Sequence, residues 1–150
     1  MNSINDLYRQ VIMEHYRSPR NKGLTSEIGY ISLRLKNPSC GDDITVQAKV
    51  ENGKVVKIRH EGTGCSICCS SASVMSEVLK DKTIEQAKSI IEDYYNLIKG
   101  EPVKDEEALD EAIAYQGVAN FPARVKCATI SWKAIGAILE GHTGEQDVEE

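Results

Sequence analysis

Three separated islands hold the residue types best suited to chemistry: Cys40-Gly41-Asp42, Gly62-Thr63-Gly64-Cys65 and Arg124-Val125-Lys126-Cys127. Each offers a side chain that can become a thiolate, and the first adds a carboxylate two residues after its cysteine. A fold that gathers them would set three sulfurs and one oxygen around a single soft or borderline metal, a closed tetrahedral set. The carboxylate, on a glycine-containing loop, is the hardest and most displaceable of these donors. A site built this way can release one bond and react. Spacing by itself leaves open whether Cys40 and Cys127 are ligands or inert thiols, because the separations are long.

Two further cysteines compete for attention. Cys65-Ser66-Ile67-Cys68 is a C-x-x-C motif followed at once by Cys69, but a structural zinc site of that kind wants a second pair. A thioredoxin-like redox reading needs a βαβ unit, and none is apparent. Cys68 and Cys69 precede the small residues Ser70 to Ser73 on a helix flank, which favours buried small side chains over ligands. His15 follows Leu7 and Val11 at helical spacing and reads as a packing or interface histidine. His60 alternates with Val56 and Ile58 as a strand residue, and His142 falls past the last helix.

The elements that must position these groups follow from the hydrophobic period. Ile4, Leu7, Tyr8, Val11, Ile12 and Tyr16 predict an amphipathic helix, started by Ser3 and ended before Pro19. From Tyr30 the period is two, through Ile31, Leu33 and Leu35, and again through Ile44, Val46, Ala48 and Val50. Asn52-Gly53 signals a type I′ hairpin into a third strand that ends near Glu61. Loop 37–42 therefore joins the first two strands of an antiparallel meander. A helical stripe through Ile67, Ser71, Val74, Met75 and Val78 puts Cys65 at a helix N-terminus, where unpaired amides favour a thiolate. Thr83 with Gln86 caps the next helix, which Gly100 and Pro102 stop. A short acidic helix is expected over Asp105 to Ala114, and Pro122 opens a last helix carrying Cys127 and a core Trp132. The expected organisation is one α+β domain over residues 1–141, a three-stranded antiparallel β-meander packed against several α-helices. Residues 142–150 are expected to be a flexible acidic tail.

Composition narrows the function classes. With 150 residues, 41% of them hydrophobic, the chain can build its own core. Eighteen basic against 23 acidic residues, without a basic block, argue against a nucleic-acid partner. No stretch approaches the ~20 apolar residues of a membrane span, and the first residues lack the pattern of a signal peptide. A cytoplasmic location is the expectation. In a reducing compartment five cysteines read as metal ligands or reactive thiols rather than a disulfide frame.

Together the residues resemble the U-type iron–sulfur cluster assembly proteins, related to IscU and to the N-terminal domain of NifU. The resemblance runs from Tyr8 and the Val11-to-Tyr16 segment with Pro19-Arg20-Asn21-Lys22-Gly23, through 37–42 and Gly64-Cys65, to Arg124-Val125-Lys126-Cys127. It implies an IscU-like fold and assigns Cys40, Asp42, Cys65 and Cys127 to the metal or cluster site. Three departures from IscU resemble the SufU branch. Lys126 stands where IscU-like scaffolds have histidine, Phe121-Pro122-Ala123-Arg124-Val125 replaces a Leu-Pro-Pro-Val-Lys motif, and the segment from Gly100 to Asn120 looks like an insertion.

The SufU resemblance implies a zinc-dependent sulfurtransferase-type acceptor working with a SufS-like cysteine desulfurase and the downstream cluster assembly machinery. A thiolate on this chain would take persulfide sulfur from the desulfurase, with Zn2+ keeping its ligands deprotonated. Cys40 is the expected acceptor, since a loop residue can move without unwinding a helix. Arg124 and Lys126 are expected beside the site or at a partner contact, with a solvated surface arginine the alternative for Arg124. Two other readings share the ligands: a scaffold for iron or a transient [2Fe-2S] cluster, and a structural zinc adaptor.

Overall fold

The structure is a computed structural model and describes residues 4–38 and 41–147. Helix α1 spans Ile4–Arg17, and the strands β1 (Tyr30–Asn37), β2 (Asp42–Glu51) and β3 (Lys54–Thr63) follow. The β2–β3 hairpin turns at Asn52 (φ 53°) and Gly53 (φ 74°), the left-handed pair that a type I′ turn requires. Beyond the sheet come α2 (Ser66–Val78), α3 (Ile84–Lys99) and the short α4 (Glu106–Leu109), then a 3₁₀ segment over Asp110–Asn120 and α5 (Pro122–Leu139).

Leu33, Leu35, Ile44, Val46, Ala48 and Ile58 point to one face of the sheet and are all at most 5% exposed. Helix α5 lies against β1 and β2, and α2 against β3, α1 and α5, so α2 is enclosed on several sides. That enclosure explains its small polar residues. Ser70, Ser71, Ser73 and Ser76 are fully buried and let neighbouring helices approach closely. Trp132 and Tyr94 are also fully buried and stack at 3.9 Å between centroids, joining α3 to α5.

Helix ends follow their local signals. The Thr83 hydroxyl accepts from the Gln86 amide while the Gln86 side chain accepts from the Thr83 amide, and Gly100 closes α3 at φ 78°. Pro122 sits in the first turn of α5. The Ser3 start of α1 lies outside the described residues.

Two expectations are corrected. The acidic helix over 105–114 stops at Leu109, because Asp110 takes φ 49°, and the chain continues as a 3₁₀ segment. The tail expected to be flexible from His142 instead places Gly144–Asp147 as a fourth strand, β4, parallel to β1, with Leu33 opposite Gly144 and Lys36 opposite Asp147. The sheet order is thus β3-β2-β1-β4. No helix among the described residues is long and apolar enough to cross a membrane.

Candidate metal centre

The turn between β1 and β2 leads into the first candidate side chain, Asp42. Asn37 and Asp42 face each other in the ladder, the Gly41 amide donates to the Asn37 carbonyl at 2.9 Å, and Gly41 holds φ 80°. A residue with a Cβ is strained in that conformation. Asp42 enters β2 on the same face as Ile44 and is 3% exposed. Cys65 is the half-buried N-cap residue of α2, with extended backbone and no side-chain cap. Cys127 sits in the second turn of α5 and is 6% exposed.

These three side chains converge. One carboxylate oxygen of Asp42 and the sulfurs of Cys65 and Cys127 lie within 4.8 Å of one another. Asp42 Oδ2 is buried and has no hydrogen-bond partner among the described residues. A buried oxygen left so costs about 1–3 kcal/mol. The Cys127 thiol is pushed to high pKa first by burial and then by its neighbours Asp42 and Cys65. Thiols beside an unsatisfied carboxylate make a pocket that favours protons or a cation, and a divalent ion reverses this balance by deprotonating the sulfurs. The donor set fits a borderline metal such as zinc.

Cys40 lies outside the described residues, two positions before Asp42. Cys68 is buried, its thiol raised by burial first and then by the Asp42 charge; it is not among the three converging groups. Cys69 is half-buried and its thiol donates to the Gly64 carbonyl at 3.7 Å. Arg124 is exposed on the rim of a groove of about 470 Å³, with Tyr8, Ile12, Ile67 and Phe121 among its walls. Ser66 and Ile67, which follow Cys65, also line it. Lys126 is half-buried, and its charge, after burial, helps to lower the Lys133 pKa.

The three histidines fall where their periods place them. His15 is buried, with Nδ1 2.7 Å from Ser73 Oγ and Nε2 2.9 Å from Glu111. His60 is buried in β3 and its Nε2 donates to the Arg20 carbonyl at 2.7 Å. His142 is exposed beyond α5.

Sequence reasoning missed the part played by Gly64. A Cβ there would stand 2.6 Å from Asp42 Oδ1 and 3.1 Å from Cys68 Sγ, so the bare backbone makes room for the carboxylate. Its signal was present as Gly62-Thr63-Gly64 just before Cys65, where glycine allows close approach. The groove left a fainter trace, the large apolar Phe121 at 63% exposure.

Comparison with known proteins agrees with this architecture. A family model described as the NifU-like N-terminal domain matches residues 7–128. The chain is 44% identical over 133 residues to the zinc-dependent sulfurtransferase SufU of Bacillus subtilis, covering 89% of each chain. It is 30% identical to the iron–sulfur cluster assembly scaffold protein IscU of Streptococcus pyogenes, over 100% of this chain and 96% of that one. The solved structure of FiSufU from Fervidobacterium islandicum AW-1 superposes with a TM-score of 0.78 at 30% identity, covering 91% of this chain and 99% of that one. With its match to the family model and its likeness to these relatives along almost its full length, the chain belongs to the family of NifU-like N-terminal domains.

Proposed function

We propose that this protein is a zinc-dependent sulfur acceptor of iron–sulfur cluster biogenesis, taking persulfide sulfur from a cysteine desulfurase in the cytoplasm. The observation that carries the reading is the convergence of Asp42, Cys65 and Cys127 around a buried carboxylate oxygen without a partner. Asp42, Cys65, Cys127 and Cys40 would hold the ion. Bound there, zinc supplies deprotonated, nucleophilic sulfur at neutral pH.

The chain's own residues do the rest. The Cys40 thiolate attacks the outer sulfur of the desulfurase persulfide, the sulfur–sulfur bond of the desulfurase breaks, and its cysteine leaves as a thiolate. Cys40 then carries the persulfide, with no external oxidant or reductant needed. Cys65 caps α2 and Cys127 lies within α5, so releasing either from the ion would disturb a helix. Arg124 and the apolar groove lined by Ser66 and Ile67, which follow Cys65, would give the desulfurase, SufS-like in this reading, a surface to dock on. Downstream cluster assembly machinery would receive the sulfur. Similarity to the Bacillus subtilis sulfurtransferase, at 44% identity, supports relay.

A second reading places a nascent [2Fe-2S] cluster on the same residues, as cargo to be passed on. What favours it is the full-length likeness to the Streptococcus pyogenes scaffold. The two separate on purification without added metal. Relay predicts colourless protein with about one zinc per chain. Iron with visible charge-transfer bands would replace relay by the scaffold.

A further inference from the structure

Cys127 and Cys65 sit on different helices, so the distance between their sulfurs depends on how α5 is set against α2. One buried polar cluster fixes that relation. The carbonyl of Ala128, the residue after Cys127, accepts from Ser71 Oγ of α2 at 2.7 Å and from Tyr94 Oη of α3 at 2.7 Å. Trp132 Nε1, one turn further along α5, donates to the same Ser71 oxygen at 2.9 Å. Each hydroxyl has a single proton, so the 3.1 Å approach of Ser71 Oγ to Tyr94 Oη is an alternative to one of the two bonds to Ala128, and at least one hydroxyl holds that carbonyl in either arrangement. All of it is buried, where a lost hydrogen bond cannot be replaced by water.

We infer that Ser71 and Tyr94 are positioning residues for the metal centre: by holding the Ala128 carbonyl they set the spacing of Cys127 against Cys65. This rests on the metal reading above. Neither residue is one of the proposed ligands. Their effect is geometric, through three helices tied at one carbonyl directly beside a ligand. Tyr115 provides an internal contrast. Its hydroxyl is equally buried and donates at 2.7 Å to Ser70 Oγ, on the same helix α2, and does not reach α5.

The experiment compares Tyr94→Phe, Ser71→Ala and Tyr115→Phe with wild type, each loaded with zinc. Thermal unfolding is measured beside the rate of zinc transfer to a chromophoric chelator and the spectrum of the cobalt(II)-substituted protein. Tyr94→Phe keeps the stack on Trp132 and should fold. The expected result is that all three variants melt lower, while only Tyr94→Phe and Ser71→Ala release zinc faster, by about three- to tenfold, with shifted cobalt bands. Equal zinc release in Tyr94→Phe, Ser71→Ala and wild type would overturn the inference, as would an equal acceleration in Tyr115→Phe. If wild type takes up no zinc, the metal reading fails by itself. The positioning claim is then judged in the same proteins by phenylarsine oxide, a trivalent arsenical that bridges neighbouring thiols. Slower bridging of Cys65 to Cys127 in Tyr94→Phe, located by mass spectrometry, sustains the claim, and unchanged bridging ends it.

Discussion

At the scale of single residues, Asp42 decides the chemistry. Its Oδ2 is buried with no hydrogen-bond partner among the described residues, one oxygen of the same carboxylate lies close to two sulfurs, and a cation would relieve the cost. Cys68 is as close in sequence to Cys65 as any zinc motif would ask, yet it packs against Gly64 in the core and stays outside the converging set. Cys68→Ala and Cys69→Ala should therefore keep about one metal per chain, while Cys127→Ala loses most of it, as read by elemental analysis of the purified proteins. Metal loss in Cys68→Ala with retention in Cys127→Ala would reverse the assignment. Asp42 and Cys65 were legible as candidates beside Gly41 and Gly64, and Cys127 as the thiol of the Arg124-Val125-Lys126-Cys127 segment. Their convergence was not, since it depends on how α2 and α5 pack on the sheet.

Among the elements, those with strong local signals were readable. Asn52-Gly53, the Thr83/Gln86 box and Pro122 each satisfy a backbone requirement within a few residues, so the chain announces them. The 3₁₀ segment and β4 were not readable. The first follows from a left-handed Asp110, and the second is a polar strand whose pairing with β1 comes from across the fold. The segment between α3 and α5 has its own anchor. Asp93, 2% exposed, accepts from the amides of Lys104 and Asp105, so its two oxygens satisfy the start of α4. Removing them strands two donors, and Asp93→Ala should cost about 2 kcal/mol. Hydrogen exchange should quicken at Lys104 and Asp105 with little change in β2. Unaltered exchange there would show that this segment is held by its apolar contacts alone.

The whole molecule is a sheet with its helices on one face, and the candidate site sits where β2, α2 and α5 meet. The alternation of apolar residues made this architecture legible, whereas the polar interior of α2 was hidden, because buried serines break the period that reveals a core helix. Global stability should carry a mark of His60. Burial lowers its pKa, only partly opposed by the bond to the Arg20 carbonyl, so the unfolded chain binds the proton more readily. The contribution is full above the ordinary imidazole value of about 6.5 and is lost as pH falls toward the lowered folded value. The urea midpoint should drop between neutral and mildly acidic pH, and His60→Gln should flatten that drop. The central claim, that this fold presents a sulfur acceptor, is tested most directly by turning wild-type protein over with a cysteine desulfurase and cysteine, then mapping by mass spectrometry which peptide gains about 32 mass units of sulfur. The account predicts the label on the peptide containing Cys40, and a stimulated desulfurase with no label on any cysteine would contradict it.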